Sequence, residues 1–274
     1  MSTETQAIHR AREVFHAARR IVVFSGAGLS AESGIPTFRD VGGIWERFPP
    51  EHFATLPGLA RMFFAHPDRV REFVSAGIGD AVRAEPNAAH RAIAELERRR
   101  EVTVVTQNVD GLHQAAGSQV VHELHGTLFA LQCDRCGGRS DLSREDLREV
   151  VDRLAVPLPR LGRRMRLARL LRPLLPRCRT CRGRMRPAIV FFGESLPAGA
   201  WKASEQACLR CQAMLVVGTS AQVYPAAMLP SLAHDAGARI IVVTMDPDFT
   251  ADWVGDLVVG PATQVVPQIL DAVR

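Results

Sequence analysis

The sequence predicts an α/β fold with a parallel sheet and helices on both of its faces. Short apolar runs rich in β-branched residues recur along the chain, and each run ends in glycine or polar residues, as buried parallel strands do. Segments with helical periodicity alternate with these runs. Two Cys-x-x-Cys pairs interrupt the alternation. We therefore expect a Rossmann-like sheet, plus a small zinc-binding and helical domain formed by two insertions.

Three segments are expected to build the sheet domain: residues 1–40, 85–130 and 188–274. Residues 41–84 form the first insertion, a loop and a helical module. Residues 131–187 form the second, a zinc module with a basic insert. A chain of 274 residues with 47% apolar residues is large enough for this arrangement. No apolar run reaches transmembrane length and no secretory signal is visible, so we expect a cytoplasmic protein.

The first predicted strand, residues 21–24, leads into a glycine loop. Gly26 and Gly28 would let the backbone turn tightly beside a ligand, and a helix over 29–33 would direct free N–H groups at a phosphate. Gly-x-Gly after a strand is also compatible with an ordinary strand-to-helix turn. A third glycine, Gly34, comes late, so the spacing favours a modified phosphate loop over a standard dehydrogenase fingerprint.

The remaining elements follow from periodicity and from glycine, proline and capping residues. Strands are expected at 102–105, 120–124, 188–192, 214–217, 239–243 and 257–259. Helices are expected at 5–18, 59–84, 88–100 (with Asn87 as the N-cap), 142–154, 160–175, 199–212, 225–234 and 262–273. A loop rich in glycine and proline, residues 40–58, would cover the phosphate site.

Polar residues at the carboxyl ends of two strands mark a candidate site. Residues 106–110, Thr-Gln-Asn-Val-Asp, follow the second strand, at the edge where open α/β sheets bind ligands. His113, His122 and His125 bracket the next strand as candidate acid/base residues, metal ligands or structural residues. Side-chain chemistry alone does not choose among the three.

Four cysteines in two knuckles predict a structural zinc site, because four thiolates make a closed tetrahedral centre. The ligands would be Cys133, Cys136, Cys178 and Cys181. A redox dithiol is the alternative. The third pair, Cys208 and Cys211, lies on one face of a predicted helix, and we expect both to be core residues.

A basic insert separates the two knuckles. No acidic residue occurs from Arg153 to Phe192, and residues 160–175 form a predicted amphipathic helix. Its charged residues are Arg160, Arg163, Arg164, Arg166, Arg169 and Arg172, and its apolar face is Leu161, Met165, Ala168, Leu171 and Leu175. The arginines of the stretch 160–186 suit a nucleic acid, an acidic partner or a membrane surface, and a solvated charged face is the alternative.

Four motifs together resemble those of the sirtuins, the NAD-dependent protein deacylases. They are Gly-Ala-Gly-Leu-Ser-Ala-Glu-Ser-Gly-Ile-Pro-Thr-Phe-Arg at 26–39, Thr-Gln-Asn-Val-Asp-Gly-Leu-His at 106–113, Glu-Leu-His-Gly at 123–126 and Gly-Thr-Ser at 218–220. The two cysteine pairs fall between the third and fourth motifs. Their order and spacing match along nearly the whole chain, and residues 26–39 are similar to the bacterial class III sirtuins.

The resemblance implies a lysine deacylase that transfers the acyl group to ADP-ribose, releasing nicotinamide and O-acyl-ADP-ribose. His125 would be the general base, Asn108 and Asp110 would hold the nicotinamide ribose and carboxamide, and zinc would be structural. The NAD site would comprise Gly26, Ala27, Gly28, Ser30, Thr37, Phe38, Arg39, Trp45, Gln107, Asn108, Val109, Asp110, His125, Gly218, Thr219, Ser220, Thr244, Met245, Asp246 and Ala262.

The resemblance also implies a site for acyl-lysine proteins or peptides. Its residues would be Val190, Phe191, Phe192, Gly193, Glu194, Val223, Val74 and Gly77. Desuccinylases of the family carry Tyr-x-x-Arg, and Val74 and Gly77 stand at those two positions here. An acyl carboxylate would lack a partner there, so we expect neutral acyl groups, acetyl or longer. An NAD hydrolase or ADP-ribosyltransferase on the same fold, and a zinc-containing nucleic-acid-binding module, are the alternative functions.

Overall fold

The computed structural model describes residues 3–270, which form two sheets. The strands are β1 (Arg20–Ser25), β2 (Glu101–Thr106), β3 (Val121–Glu123), β4 (Gly126–Cys133), β5 (Arg139–Asp141), β6 (Met185–Ile189), β7 (Ala213–Val217), β8 (Arg239–Thr244) and β9 (Asp256–Val259). Six of them form a parallel sheet in the order β3-β2-β1-β7-β8-β9. The other three form a small antiparallel sheet in the order β5-β4-β6.

Helices connect the strands and form most of the small domain. They are α1 (Thr3–Ala17), α2 (Ala27–Ala31), α3 (Ile44–Arg47), α4 (Pro50–Phe53), α5 (Leu56–Ala65), α6 (Pro67–Arg83), α7 (Ala88–Leu96), α8 (Leu112–Ala116), α9 (Arg144–Ala155), α10 (Arg163–Leu171), α11 (Ala198–Arg210), α12 (Leu229–Asp235) and α13 (Ala262–Leu270). The Asn87 side chain caps α7, as predicted. Among residues 3–270, no helix is both long and apolar enough to cross a bilayer.

Helices cover the parallel sheet on both faces, as the sequence predicted. Phe15 of α1, Ile93 of α7 and Ile269 of α13 pack in the core on one face. Cys208 of α11 and Leu229 of α12 pack in the core on the other. The central strands β1 and β7 are therefore buried on both sides, which explains why their sequences are continuous apolar runs.

The two insertions meet in a separate hydrophobic core. Phe48 of the first insertion packs in the same cluster as Leu147 and Leu167 of the second, where α6 lies against α9 and α10. A smaller cluster around Leu131 and Met185 lies behind the cysteine knuckles. The predicted small domain thus has its own interior.

The first insertion is more helical than predicted. Residues 40–58 contain α3, α4 and the start of α5, because Pro50 and Pro57 lie in first turns, where a helix needs no proline amide. The helix predicted at 59–84 is two helices, since Pro67 cannot continue α5 and instead begins α6.

The strand predicted at 188–192 ends earlier. It spans Met185–Ile189 and pairs antiparallel with β4, so it belongs to the small sheet and not to the parallel one. The closing helix is described only to Leu270; its predicted end at residue 273 lies outside the described residues.

The apolar face predicted for the basic helix is mostly wrong. Of its five residues only Leu171 is buried; the exposed ones are Leu161, Met165, Ala168 and Leu175. Gly162, with φ +69°, is the N-cap of α10, and Leu167, Leu171 and Leu174 are the side chains that enter the small-domain core. Leu161 and Met165 are instead 92% and 69% exposed.

Candidate active site

The candidate site lies at the carboxyl edge of the parallel sheet. β1 pairs with β2 on one side and with β7 on the other, so the loops after these three strands are neighbours. The order of strands reverses between β1 and β7, which is where open α/β sheets leave a crevice for a ligand. The segments 26–30, 107–110 and 218–220 therefore converge there.

The glycine loop packs tightly against the loop after β7. The Gly28 amide donates to the Gly218 carbonyl at 2.8 Å, and the Gly26 amide donates to the Val217 carbonyl at 3.1 Å. Gly218 has φ +63°, and a Cβ on it would lie 2.1 Å from the Leu29 nitrogen. These two amides are therefore not available to a phosphate. The Ala27 amide, at the first position of α2, needs no helical partner and remains the candidate donor.

Three polar side chains meet beneath this loop. The Asn108 amide nitrogen donates to the Gly26 carbonyl at 3.0 Å and to the Ser30 hydroxyl at 3.1 Å. The Ser30 hydroxyl donates to the Asp110 carboxylate at 2.7 Å, and the Leu112 amide donates to the other Asp110 oxygen at 3.0 Å. Burial raises the pKa of Asp110, and the hydrogen bonds from Leu112 and Ser30 oppose that rise. The predicted residues Ser30, Asn108 and Asp110 thus form one network.

Gln107 connects the second and fourth motifs. Its amide nitrogen donates to the Thr219 hydroxyl at 2.9 Å. Its backbone carbonyl accepts from Nδ1 of His125 at 3.0 Å. Since a carbonyl only accepts hydrogen bonds, Nδ1 carries the proton, and the neutral ring then has its lone pair on Nε2. Burial lowers the pKa of His125 below its usual 6.5, which favours this neutral form.

The structure separates the three candidate histidines. His113 is buried, lies 2.9 Å from the Ser25 hydroxyl through Nε2 and has a pKa lowered to about 3 by burial. Its ring packs edge-on against that of His90, 5.0 Å away between centroids. His122 is on β3, while His125 lies beside the Gln107 loop. Sequence reasoning missed Ser25, the last residue of the apolar strand β1, and His90, which lies within helix α7.

The loop that carries Thr37, Phe38 and Arg39 folds back onto α3, the helix that carries Trp45. The amide of Ile44 donates to the Thr37 carbonyl at 2.9 Å, and the amide of Trp45 donates to the Phe38 carbonyl at 3.1 Å. The Phe38 and Trp45 rings are 5.1 Å apart, and Arg39 is exposed.

The remaining predicted NAD-site residues lie at the end of β8, in the loop after it and at the start of α13. Thr244 accepts from the Asp246 amide at 3.1 Å through its hydroxyl, while Met245 and Asp246 are exposed. Ala262 is buried at the start of α13.

A small cavity of about 40 Å³ lies between the 36–44 loop and α6. Its lining is largely apolar, with Phe48, Phe73 and Gly77, and includes two charged residues, Arg47 and Asp80. A Cβ on Gly77 would meet no atom within 4 Å, so this position is open. Val74 packs at the small-domain core and is not among the lining residues.

Residues 190–194 form a turn and not the predicted strand end. The Val190 amide donates to the His125 carbonyl at 2.9 Å, and the Phe192 amide donates to the Ala54 carbonyl at 2.8 Å. The Phe191 amide donates to the Glu194 carboxylate at 3.0 Å. A peptide that pairs here therefore meets mainly carbonyl groups and the Gly193 amide. The predicted Val223 is half-buried in the loop before α12.

The four predicted cysteines converge. The Sγ atoms of Cys133 and Cys181 are 3.5 Å apart, those of Cys136 and Cys178 are 3.7 Å apart, and all four lie within 4.8 Å of one another. Tetrahedral zinc with Zn–S bonds of about 2.3 Å spaces sulfurs by about 3.8 Å, so the cluster fits one zinc ion.

Cys208 and Cys211 lie apart from that cluster, in the hydrophobic core that α11 and α12 form against the parallel sheet. Burial raises their pKa values to about 12 and about 11, so both are inert thiols, as expected of core residues.

Comparison with known proteins gives consistent matches. The sequence pattern of the Sir2 family matches residues 26–225. The NAD-dependent protein deacylase of Ralstonia nicotianae is 43% identical over 264 residues, 95% of each chain. NAD-dependent protein deacylase 2 of Pyrobaculum aerophilum is 38% identical over 263 residues, 96% of this chain and 94% of the relative.

Solved structures also match nearly the full chain. A complex of a Sir2 homolog with NAD superposes with a TM-score of 0.76 at 32% identity, covering 97% of this chain and 93% of the other. Sir2Af2 bound to a myristoylated histone peptide superposes with a TM-score of 0.70 at 34% identity, covering 98% and 97%.

Proposed function

The chain belongs to the Sir2 family, and we propose that it is an NAD-dependent protein deacylase acting on acyl-lysine. One structural observation carries the proposal: the Gln107 carbonyl fixes the His125 tautomer at the edge where the glycine loop and the Asn108–Asp110 turn converge. NAD, when bound, supplies the ADP-ribose that accepts the acyl group, so that nicotinamide and O-acyl-ADP-ribose are the products.

His125 is the proposed general base. Its Nε2 lone pair accepts a proton from a substrate hydroxyl, while the Nδ1–H bond to Gln107 keeps the ring oriented. Burial lowers the pKa of the imidazole, which favours its neutral form near pH 7.

Asn108 and Asp110 are the proposed groups that hold the nicotinamide end of the cofactor. Their side chains are buried and share the Ser30 hydroxyl, so they are oriented before a ligand binds. Such preorganisation matters because a cationic sugar centre reacts readily with water when it is poorly positioned. The four cysteines have a structural role, since a zinc ion with four thiolates has no open position.

The proposed acyl group is neutral. The cavity beside Gly77 is mainly apolar, and its two charged lining residues, Arg47 and Asp80, have opposite signs. Val74 and Gly77 offer an acyl carboxylate no hydrogen-bond donor at the two positions where desuccinylases of the family carry Tyr and Arg. A cytoplasmic location is proposed because four of the six thiols converge on a metal site, a use of cysteine typical of reducing compartments.

Product analysis tests this function. Mass spectrometry of the protein with NAD and acyl-lysine peptides is expected to find nicotinamide and O-acyl-ADP-ribose together. His125→Ala is expected to remove both products, and His122→Ala, on the neighbouring strand, to retain them. ADP-ribose formed without regard to peptide would instead assign an NAD hydrolase, and modified protein an ADP-ribosyltransferase.

A second proposed property is binding of a polyanion by the basic insert. Twelve arginines and no acidic residue lie between residues 153 and 193, whereas the rest of the chain has 22 basic and 29 acidic residues. Most of these arginines are exposed, and Arg163 is paired with Asp68 at 3.3 Å. Arg164, Arg166 and Arg169 are exposed and form no ion pair within residues 3–270, so substitutions at these positions test the basic surface directly.

Binding to a labelled DNA duplex tests the basic insert. Affinity is expected to fall steeply with salt, because bound phosphates release counterions. Charge reversal to Glu at Arg164, Arg166 and Arg169 should abolish binding while peptide turnover continues. Binding that survives the reversal would exclude this surface.

A further inference from the structure

Arg144, the first residue of α9, joins three separate parts of the chain. Its Nη1 donates to the carbonyl oxygens of Ala81 at 2.9 Å and Val82 at 3.3 Å. Its Nη2 lies 3.5 Å from the Asp110 carbonyl oxygen. The guanidinium carbon is 4.8 Å from the centroid of the Phe129 ring. One side chain therefore contacts both insertions and the candidate active site.

The C-terminus of α6 is a suitable anchor for this cation. Ala81 and Val82 lie in its last turn, where carbonyl groups lack helical partners and the helix dipole is negative. On the other side, Ser143 and Asp146 form a capping box that fixes the first turn of α9. The guanidinium is thus held between two helix ends.

Asp110 lies on a turn between the glycine loop and Arg144, and Arg144 contacts this turn from the side opposite the loop. Next to Asp110, Gly111 has φ +68°, and a Cβ there would lie 2.9 Å from the Phe129 ring. The Leu128 amide donates to the Val109 carbonyl at 3.0 Å. The turn is therefore enclosed by β4 and Arg144 on one side and by Ser30 on the other.

We propose that Arg144 is a positioning residue that holds the 108–110 turn in the geometry that binds cofactor and ties this turn to the small domain. The proposal rests on the proposed function, because the cofactor role of Asp110 belongs to it. Arg144 approaches the Asp110 carbonyl oxygen and its cation favours the ionised Asp110 side chain, but Arg144 itself does not contact the reacting atoms.

The charge of Arg144 adds a second, measurable effect. Burial raises the pKa of Asp110; the Leu112 amide, the Ser30 hydroxyl and the Arg144 cation oppose the rise. Glu123 is the other charged group that interacts with Asp110, and its own pKa is raised mainly by burial and to a smaller extent by the Asp110 carboxylate. Loss of the Arg144 charge should therefore raise the pKa of Asp110 further.

Two substitutions separate charge from geometry. Arg144→Gln removes the cation, and Arg144→Lys keeps it without the forked donor geometry. Arg148→Gln, at an exposed arginine of the same helix, is the matched control. NAD affinity is measured by calorimetry from pH 5.5 to 8, and kcat and KM for NAD are measured with an acyl-lysine peptide.

We expect Arg144→Gln to weaken NAD binding about tenfold, because a displaced turn no longer aligns Asn108 and Asp110. The acid limb of NAD binding, the pH range in which affinity falls on acidification, should move to higher pH because Asp110 then ionises at higher pH. Arg144→Lys keeps the charge, so its acid limb should lie at the wild-type pH. Its NAD affinity should stay below that of the wild type, because the forked donor geometry is lost. Arg148→Gln should match the wild type.

The proposal would be overturned if Arg144→Gln lost thermal stability but matched Arg148→Gln in NAD affinity and in the pH of its acid limb. If Arg144→Gln does not fold, wild-type NAD affinity in Arg144→Lys overturns it. A wild type that binds NAD but produces no deacylated peptide would refute the proposed function alone, because calorimetry still decides the role of Arg144.

Discussion

The Nδ1 atom of His125 lies 3.0 Å from the backbone carbonyl oxygen of Gln107. The bond orients the ring and leaves Nε2 as the only site that can accept a proton. The Gln107 side chain in turn donates a hydrogen bond to the Thr219 hydroxyl. Hydrogen bonds of one residue therefore connect His125 to the loops after β2 and β7.

The pH dependence of turnover follows from His125. Burial lowers its pKa below 6.5, and only the neutral ring can act as a base, so activity should fall as pH falls through this lowered value. Single-turnover rates measured from pH 5 to 8 are expected to reach half of their plateau below pH 6.5. A half-maximal rate at pH 7 or above would contradict this assignment.

Gly126 should tolerate no side chain. It has φ +75°, and a Cβ on it would lie 1.8 Å from the Ala188 carbonyl oxygen. Gly126→Ala is therefore expected to cost about 3 kcal/mol or more in the free energy of unfolding. Gly162→Ala is the control: it has a similar φ, +69°, but open surroundings, so only about 1 kcal/mol should be lost. Equal losses in urea unfolding would show that the close contact is absent.

The acyl preference should depend on Gly77. Wild-type protein is expected to remove acetyl or longer neutral acyl groups faster than succinyl groups, because Val74 and Gly77 offer a buried carboxylate no hydrogen-bond donor. Val74→Tyr combined with Gly77→Arg should raise succinyl turnover relative to acetyl by about tenfold or more. Val74→Tyr with Gly77→Gln controls for size without the charge. Wild-type turnover of succinyl peptide at or above that of neutral acyl peptides would refute the expectation.

Zinc should be required for folding and not for chemistry. Elemental analysis is expected to find one zinc per chain, and Cys178→Ser should lose it because Cys178 is a buried member of the cluster. The loss should destabilise the small sheet, where Cys133 and Cys178 pack with Leu131 and Met185. Cys211→Ala should keep one zinc ion. Full stability after chelation would show that the metal does not hold this module together.

Local sequence patterns predicted the parallel sheet and the zinc cluster well. β7 is a continuous apolar run because both of its faces are buried, and each knuckle needs only two thiols three residues apart. Contacts between distant residues were not predictable. The Phe192 amide is engaged by the Ala54 carbonyl and the Asp110 carbonyl is approached by Arg144, and neither contact has a local pattern. Four of the five residues predicted for the apolar face of the basic helix were wrong for the same reason, since the partners of α10 lie in α6 and α9.

The amount of nicotinamide released per lysine freed is the most direct test of the proposed deacylase. The protein is mixed with NAD, with and without one acetyl-lysine peptide, and nicotinamide, free peptide and O-acetyl-ADP-ribose are quantified over the first turnovers. Equal amounts of all three, with little nicotinamide in the absence of peptide, are the predicted result. Nicotinamide and ADP-ribose formed equally with and without peptide would contradict it and identify an NAD hydrolase on this fold.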